Sequence, residues 1–264
     1  MGLTVAVGSN GANFASPSEG KTPPDAGSPV DLAALSFPSL TEARQRVADA
    51  LAEVSGQHDA LSQLGVGATL LHEVSRNTRL AHEPAAPAHS IYTGVLFDAL
   101  GYSSLTPAQK RKANTAVVVI SGLWGAVGFA DSIPAYRLSM SVGLPGVGKL
   151  ASYWKPQLAA ALASHAEDHL LVDCRSSTYA AAWVPDPDRT VAVNVFTERD
   201  GARKVVSHFA KHTRGELARH LLTRRGKAPE TPAQLAKAAA EKWTVELVPG
   251  TPRKAHALNI ILND

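Results

Sequence analysis

Ala116-Val-Val-Val-Ile-Ser121 is the stretch that decides the fold of this chain. The run is β-branched and unbroken, which is typical of a strand that is buried on both faces of a sheet. Thr106-Pro-Ala-Gln-Lys110 lies upstream and predicts the start of a helix, with Thr106 as its cap and Pro107 at its first position. Further upstream, residues 41–54 also have a helical pattern, with Thr41 as the expected N-cap. The run therefore predicts a sheet that is flanked by helices.

Strands and helices are predicted to alternate along the rest of the chain. The expected strands are residues 3–7, 169–173, 191–195, 244–248 and 258–262. The expected helices are residues 150–163 and 231–242, while residues 204–222 begin as a strand and continue as a helix. Residues 8–29 and 83–89 are expected to be a loop and a connector, because they are interrupted by Gly, Ser and Pro. The alternation lacks the regular spacing of a doubly wound fold, so we expect one mixed α/β or α+β domain over residues 1–264.

The composition is that of an ordinary globular protein. Of the 264 residues, 45% are hydrophobic and 19% are charged. No apolar run approaches the roughly 20 residues that span a bilayer, and the N-terminus lacks a signal-peptide pattern, so we expect a cytoplasmic protein without a membrane segment. The single cysteine, Cys174, follows a predicted strand and is expected to be a structural thiol.

Metal sites and cofactors are not expected. One cysteine supports neither a disulfide framework nor a thiolate metal site, and the ten histidines form no H-E-x-x-H motif. His208 and His212 are four residues apart, but the cations around them would repel a metal ion. We therefore assign no metal ligands and no cofactor.

Positive charge is concentrated in one segment. Residues 199–227 hold nine Lys and Arg against two acids, so they carry +7 while the rest of the chain carries −4. A basic segment on a mildly acidic body indicates a site for an anion, such as a phosphate or a nucleic-acid backbone. A solvated helix face is the alternative.

One cation of this segment lies on an apolar helix face. Ala210, Leu217 and Leu221 form a stripe at helical spacing, and Arg214 falls within it with Lys211 as its neighbour. Burying an unpaired cation is costly, so Arg214 needs a partner. That partner is expected to be either an internal carboxylate or an anionic ligand in a cleft.

Gly143-Leu-Pro-Gly-Val-Gly-Lys149 matches G-x-x-x-x-G-K by spacing, but Leu150 replaces the Ser or Thr that would hold magnesium. The run fits the hairpin of a helix-hairpin-helix better, in which glycine amides and a helix N-terminus bind a DNA phosphate without reading sequence. Gly146, Gly148 and Lys149 are then the phosphate-binding residues. An ordinary glycine loop is the alternative.

Polar residues also collect on loops, several of which follow predicted strands, where functional groups concentrate. Residues 121–125 directly follow the buried run, and residues 176–179 follow the strand that ends at Asp173. The candidates for catalysis are Lys21, Ser121, Tyr136, Ser177 and Tyr179. Each cluster taken singly is also typical of a plain turn.

Taken together, these segments resemble the YaaA family of bacterial peroxide-stress proteins, over residues 16–238. The resemblance rests on the following ordered segments: Pro17-Ser-Glu-Gly-Lys-Thr22, Ile91-Tyr-Thr-Gly94, Ile120-Ser-Gly-Leu-Trp-Gly125, Pro134-Ala-Tyr-Arg-Leu138, Tyr153-Trp154, Ser177-Thr-Tyr179 and Ser207-x-Phe-Ala-Lys-x-x-Arg-Gly215. It implies a single α/β domain with a basic cleft and a helix-hairpin-helix-like element. It also implies protection from hydrogen peroxide by limiting free iron, and binding to duplex or structured DNA, with no settled reaction.

The chain departs from the family pattern at two places. Residues 8–15 intervene between the first apolar strand and the lysine motif, so residues 1–15 form an atypical N-terminal extension. Residues 126–131 replace a turn that is commonly more polar in the family. The first departure puts the placement of Lys21 in question.

Two functions follow from these observations. The first is a peroxide-stress protein that binds DNA through a basic cleft, largely independently of sequence, with a salt-sensitive affinity. Its nucleic-acid or phosphate-binding residues are Arg137, Gly146, Gly148, Lys149, Lys211, Arg214 and Arg219. The alternative is an enzyme that acts on a nucleotide or another phosphorylated small molecule, with Lys and Arg clamping the anion and Tyr, Ser or Lys performing acid-base chemistry. The alternative requires Lys21, Arg137 and Arg214 to converge in one pocket.

Overall fold

The computed structural model describes residues 4–7, 20–167, 169–199, 202–205 and 207–263. The helices of this part of the chain are α1 Thr41–Ser55, α2 Ala60–Gln63, α3 Leu71–Arg76, α4 Ala88–Ile91, α5 Val95–Leu100, α6 Pro107–Ala116, α7 Leu150–Ala161, α8 Ala163–Glu167, α9 Ser177–Ala181, α10 Ser207–Thr223 and α11 Pro232–Ala239. The strands are β1 Thr4–Val7, β2 Ala85–Pro87, β3 Val117–Ser121, β4 Gly125–Gly128, β5 Ser132–Pro134, β6 Gly143–Leu144, β7 Gly148–Lys149, β8 Leu171–Asp173, β9 Thr190–Arg199, β10 Ala202–Val205, β11 Thr244–Val248 and β12 His256–Asn263.

One large sheet organises the molecule, in the order β11-β12-β9-β8-β1-β3-β4. Its centre, from β12 through β9, β8 and β1 to β3, is parallel. The outer strands β11 and β4 pair antiparallel with their neighbours, and β10 folds back on β9. The predicted mixed α/β fold is therefore confirmed.

The run that decided the fold behaves as predicted. Every residue of β3 is buried, because the strand lies inside the sheet between β1 and β4. Helix α6 leads into it and begins with a capping box, in which the Thr106 hydroxyl accepts the Gln109 N–H and the Gln109 side chain accepts the Thr106 N–H. Pro107 occupies the first helical position, as the sequence indicated.

Three details of the predicted elements are wrong. Thr41 is the first residue of α1 rather than its N-cap, and its hydroxyl donates to the Pro38 carbonyl. Residues 83–89 are not a plain connector, because β2 pairs with β5 and α4 begins at Ala88. The helix predicted over residues 150–163 is divided into α7 and α8.

The glycine-rich run forms a hairpin, in which β6 pairs with β7 and α7 follows at once. Gly146 and Gly148 have φ values of 70° and 84°, the left-handed region that glycine adopts without strain. Within the described chain, residues 135–142 before the hairpin contain no helix. The structure thus contains a short β-hairpin followed by a helix, and the described residues do not show a complete helix-hairpin-helix.

No helix of the described residues is long and apolar enough to cross a membrane.

Candidate functional site

The carboxyl ends of three neighbouring strands meet at one edge of the sheet. Strand β1 lies between β3 and β8, with Val7 opposite Val119 and Ala6 opposite Asp173. Because the three strands are parallel, Ser121 at the end of β3 lies at the same edge as the residues that follow β8. Ligands of open α/β sheets bind at such edges.

A chain of buried hydroxyl groups begins at Ser121. The oxygen Oγ of Ser121 lies 2.6 Å from the Tyr136 hydroxyl, which lies 3.1 Å from the Tyr92 hydroxyl. Ser121 Oγ also accepts the backbone N–H groups of Leu123 and Trp124, which occupy both of its lone pairs. Ser121 must therefore donate its proton to Tyr136, and Tyr136 must donate to Tyr92.

Tyr136 is a neutral phenol in this setting. Its ring is fully buried, and burial together with the nearby Tyr92 and Tyr179 raises the pKa of Tyr136 well above its ordinary value. The phenol therefore keeps its proton at neutral pH and serves as a hydrogen-bond donor.

Lys21 completes this cluster from a separate segment. Its Nζ lies 4.2 Å from the centroid of the Tyr136 ring and 5.7 Å from that of Tyr92, both within the range of a cation–π interaction. The backbone explains this placement: Lys21 forms an antiparallel bridge with Tyr92, flanked by bonds from Thr22 N–H to the Ile91 carbonyl and from Thr93 N–H to the Gly20 carbonyl. We define Lys21, Tyr92, Ser121 and Tyr136 as the hydroxyl cluster.

Tyr179 of α9 lies near Tyr136 and contributes to its raised pKa. Its hydroxyl accepts the Met140 N–H at 3.4 Å. Ser177 is the exposed first residue of the same helix. The hydroxyl oxygen of Ser176, just before it, is buried without a hydrogen-bond partner in the described structure.

Arg44 of α1 supports the cluster and was not among the residues that the sequence indicated. This fully buried side chain donates from Nε to the Trp124 carbonyl at 3.0 Å and from Nη2 to the Ala126 and Ser36 carbonyls, each at 2.6 Å. Burial lowers the pKa of Arg44 to about 10. The hydrogen bonds to the Trp124 and Ala126 carbonyls hold the turn after Ser121 in place. The sequence does contain a signal for this residue, because helical spacing places Arg44 on the same face of α1 as Val47 and Leu51.

Arg214 lies on the buried face of α10, as its position among Ala210, Leu217 and Leu221 indicated. Its partner differs from both expected kinds, because Nε donates to the backbone carbonyl of Val193 at 2.9 Å. Strand β9, which contains Val193, neighbours β8, so Arg214 reaches the same edge of the sheet.

Cys174 lies beside Arg214 and behaves as a structural thiol. Burial raises the pKa of Cys174 to about 12, against the opposing effect of the Arg214 charge. The thiol therefore remains protonated at neutral pH.

Arg137 and Arg219 are engaged by other parts of the chain. Arg137 follows Tyr136, but its Nη1 lies 3.4 Å from Glu73 of α3. Nη1 of Arg219 donates to the Leu100 and Gly101 carbonyls at 2.9 and 3.0 Å and so caps the end of α5. Lys211 is half-buried on α10.

The hairpin packs beside α1. Lys149 is exposed, and a Cβ added at Gly146 or Gly148 would meet no atom within 4 Å. Nη2 of Arg46 donates to the Gly146 carbonyl at 2.6 Å. The structure thus brings Lys21, Ser121 and Tyr136 together with Tyr179 nearby, while the hairpin contacts α1 through Arg46. Among the described residues, no three His, Cys, Asp or Glu side chains form a group that could hold a metal ion.

Comparison with known proteins gives consistent matches over most of the chain. The family model described as peroxide stress protein YaaA matches residues 14–247. A UPF0246 protein of Streptomyces coelicolor is 46% identical over 227 residues, which cover 84% of this chain and 86% of that protein. UPF0246 proteins of Corynebacterium efficiens and Corynebacterium glutamicum are 43% and 39% identical, each over 211 residues, covering 78% of this chain and 83% and 82% of those proteins.

Proposed function

The chain belongs to the family of the peroxide stress protein YaaA, and from that premise we propose that it is an enzyme acting on a nucleotide or another phosphorylated small molecule. The observation that carries this proposal is the hydroxyl cluster. Three polar side chains from separate segments of the chain, Lys21, Tyr92 and Ser121, meet around the buried phenol of Tyr136 at the carboxyl edge of a parallel sheet. Catalysis requires polar groups to converge in this way.

The proposed chemistry divides between cations and hydroxyl groups. Lys21 and Arg214 bind the anionic part of the substrate, with the Arg214 guanidinium held through Nε by the Val193 carbonyl. Arg137, the third cation expected in this pocket, pairs with Glu73 instead, so the proposal rests on two cations rather than three. Tyr136 is held neutral and donates its single proton to Tyr92, so it can act on a substrate only where the reacting atom or leaving group replaces the Tyr92 oxygen as the acceptor of that proton. Ser121 orients Tyr136 by donating to it.

This proposal is tested with Lys21→Ala and the matched control Lys155→Ala, which removes an exposed lysine on α7. Thermal shift is measured with a panel of nucleotides and sugar phosphates, and products of the stabilising compounds are followed by chromatography. A stabilising compound whose effect and turnover are lost in Lys21→Ala but kept in Lys155→Ala is the expected result. Equal shifts in all three proteins would contradict the proposal.

A second candidate function is sequence-independent DNA binding through a basic cleft with a helix-hairpin-helix-like element. It is favoured by the hairpin, where the backbone at Gly146 and Gly148 is unobstructed and Lys149 is exposed at the start of α7. Arg219 supports it less, because its guanidinium already donates to the end of α5. We therefore place the enzyme first.

Duplex DNA titrated at several salt concentrations tests this second function. Lys149→Ala is expected to reduce the slope of log K against log salt by about 1, because one phosphate contact is lost. Lys237→Ala, an exposed lysine on α11, is the control and leaves the slope unchanged. A wild-type slope near zero would exclude the function.

A further inference from the structure

A cavity of about 550 Å³ adjoins the hydroxyl cluster, a size within the ordinary range of small-molecule sites. It lies between α4, α5 and the start of α6. Aromatic rings form much of its lining, together with a few polar side chains. The lining includes His89, Tyr92, Phe97, Tyr102, Ser103 and Lys110.

The rings of the cavity form a continuous wall. His89 stacks on Tyr102 with their centroids 3.8 Å apart, and Tyr92 stacks on Phe97 at 5.4 Å. Phe129, which also lines the cavity, joins the two pairs: its centroid lies 5.4 Å from Tyr102 and 6.3 Å from Phe97. A wall of this kind fits a flat aromatic ligand, because the faces and edges of rings attract other rings.

Polar groups at the same wall suit a ligand with hydrogen-bonding edges. Burial, and then the charge of Lys110, lowers the pKa of His89, so its imidazole is neutral at pH 7 and offers one donor and one acceptor. Nζ of Lys110 lies 5.5 Å from the centroid of Tyr102, and Asp98 also lines the cavity. A simple phosphate would not use the aromatic wall.

Tyr92 connects the cavity to the hydroxyl cluster. Its ring lines the cavity, its hydroxyl accepts from Tyr136, and Nζ of Lys21 lies 5.7 Å from its centroid. A ligand in the cavity therefore lies one aromatic ring away from Lys21. A planar group and an anionic group joined by a short spacer could occupy the two sites together.

We propose that this cavity binds the nucleobase of the substrate, so that the substrate class of the neighbouring site is the nucleotides rather than phosphorylated compounds in general. The inference rests on the proposed enzymatic function for the anionic part of the ligand. It assigns base binding to the aromatic wall and phosphate binding to Lys21.

The test fills the cavity without removing a core contact. Ser103→Trp and Ser90→Trp each place a large side chain at an exposed lining position, and Ser62→Trp on α2 is the matched control. Binding of AMP, GMP, CMP, UMP and ribose 5-phosphate is measured by calorimetry for each variant, and thermal unfolding verifies that each is folded. In the wild type, at least one nucleotide is expected to bind about tenfold or more tightly than ribose 5-phosphate, since the base adds a stacking contact. At least one folded filling variant should lose this preference while binding ribose 5-phosphate unchanged, and Ser62→Trp should retain it.

The inference and the proposed function fail in different ways. If ribose 5-phosphate binds as tightly as every nucleotide, or if the preference survives in both filling variants, the cavity is not a base site. If Lys21→Ala leaves binding of all five compounds unchanged while Ser103→Trp removes the preference, the base site stands and the phosphate site at Lys21 is wrong. If none of the five compounds binds the wild type, the base site is wrong, whereas the proposed function is decided by the wider panel of sugar phosphates and nucleotides with Lys21→Ala.

Discussion

The hydroxyl oxygen of Ser121 accepts hydrogen bonds from two backbone N–H groups, and these bonds limit the chemistry that the serine can perform. With both lone pairs occupied, the oxygen is a poor nucleophile, and its proton is given to Tyr136, which is itself too weak a base to remove it. The serine is therefore a positioning residue rather than the attacking group. Tyr136, the only member of the three-hydroxyl chain bonded to both others, is the residue on which the site depends.

Tyr136→Phe is expected to lower the free energy of unfolding by about 1–3 kcal/mol, because buried hydroxyl groups of Ser121 and Tyr92 lose their partner. The measurement is equilibrium unfolding in denaturant. Tyr153→Phe is the control, since its hydroxyl donates over a longer distance, 3.3 Å, from a part-buried position. A loss for Tyr136→Phe no larger than for Tyr153→Phe would show that the hydroxyl chain does not stabilise the fold.

Acid is expected to destabilise the protein through two histidines. Burial lowers the pKa values of His89 and His165, so the unfolded chain binds more protons just below its ordinary histidine pKa of about 6.5. The stability that the two neutral histidines give the folded protein is fully present above this ordinary pKa. It is lost as the pH falls through the lowered pKa values of the folded state. Stability measured from pH 7.5 to 5 should fall less steeply in His165→Gln than in the wild type, whereas exposed His58→Gln should follow the wild type.

The elements that the sequence predicted well are those with local causes. Capping by Thr106 and Thr231, each followed by proline, fixes the starts of α6 and α11, and a β-branched run suffices for β3. The short strands β2 and β5 were not predictable, because each exists only through its pairing with the other. Strand β4 was missed for the same reason, since its Gly-rich sequence has little strand propensity of its own.

Helix α10 packs against α5 at Gly215 so closely that a Cβ there would overlap the Leu96 carbonyl and contact Ala99. Gly215→Ala is therefore expected to lower the free energy of unfolding by about 1–3 kcal/mol. Gly67→Ala is the control: Gly67 has an extended backbone and open space, so the change should be neutral or stabilise by about 0.4–1 kcal/mol. If the two variants unfold at the same denaturant concentration, the close contact is not required.

At the scale of the whole molecule, the order of strands differs from their order in sequence. The last strand, β12, lies inside the sheet between β9 and β11 and pairs with β9 over eight residues. The family model ends at residue 247, before this strand begins. The C-terminal segment of this chain therefore completes the sheet.

Deletion of residues 244–264 is expected to abolish cooperative unfolding, because it removes β11 and β12 and exposes Val191, Val193 and Val195 of β9 along a new edge. Thermal unfolding and binding of a hydrophobic dye report the loss. Deletion of Asp264 alone serves as the control and should leave the transition intact. A cooperative transition in the longer deletion would show that the sheet is stable without its last two strands.

The sequence by itself determined the elements with local causes, the mixed α/β class and the family. It also identified Lys21, Ser121, Tyr136 and Tyr179 as candidate site residues. Only the tertiary structure decided which of them meet, because parallel strands distant in sequence bring their carboxyl ends to one edge. It also decided that Arg214 and Arg219 donate to backbone carbonyls and that Arg137 pairs with Glu73. Helical spacing shows that a cation lies on a buried face, but the group it meets belongs to another element, and that group is fixed only when the elements pack.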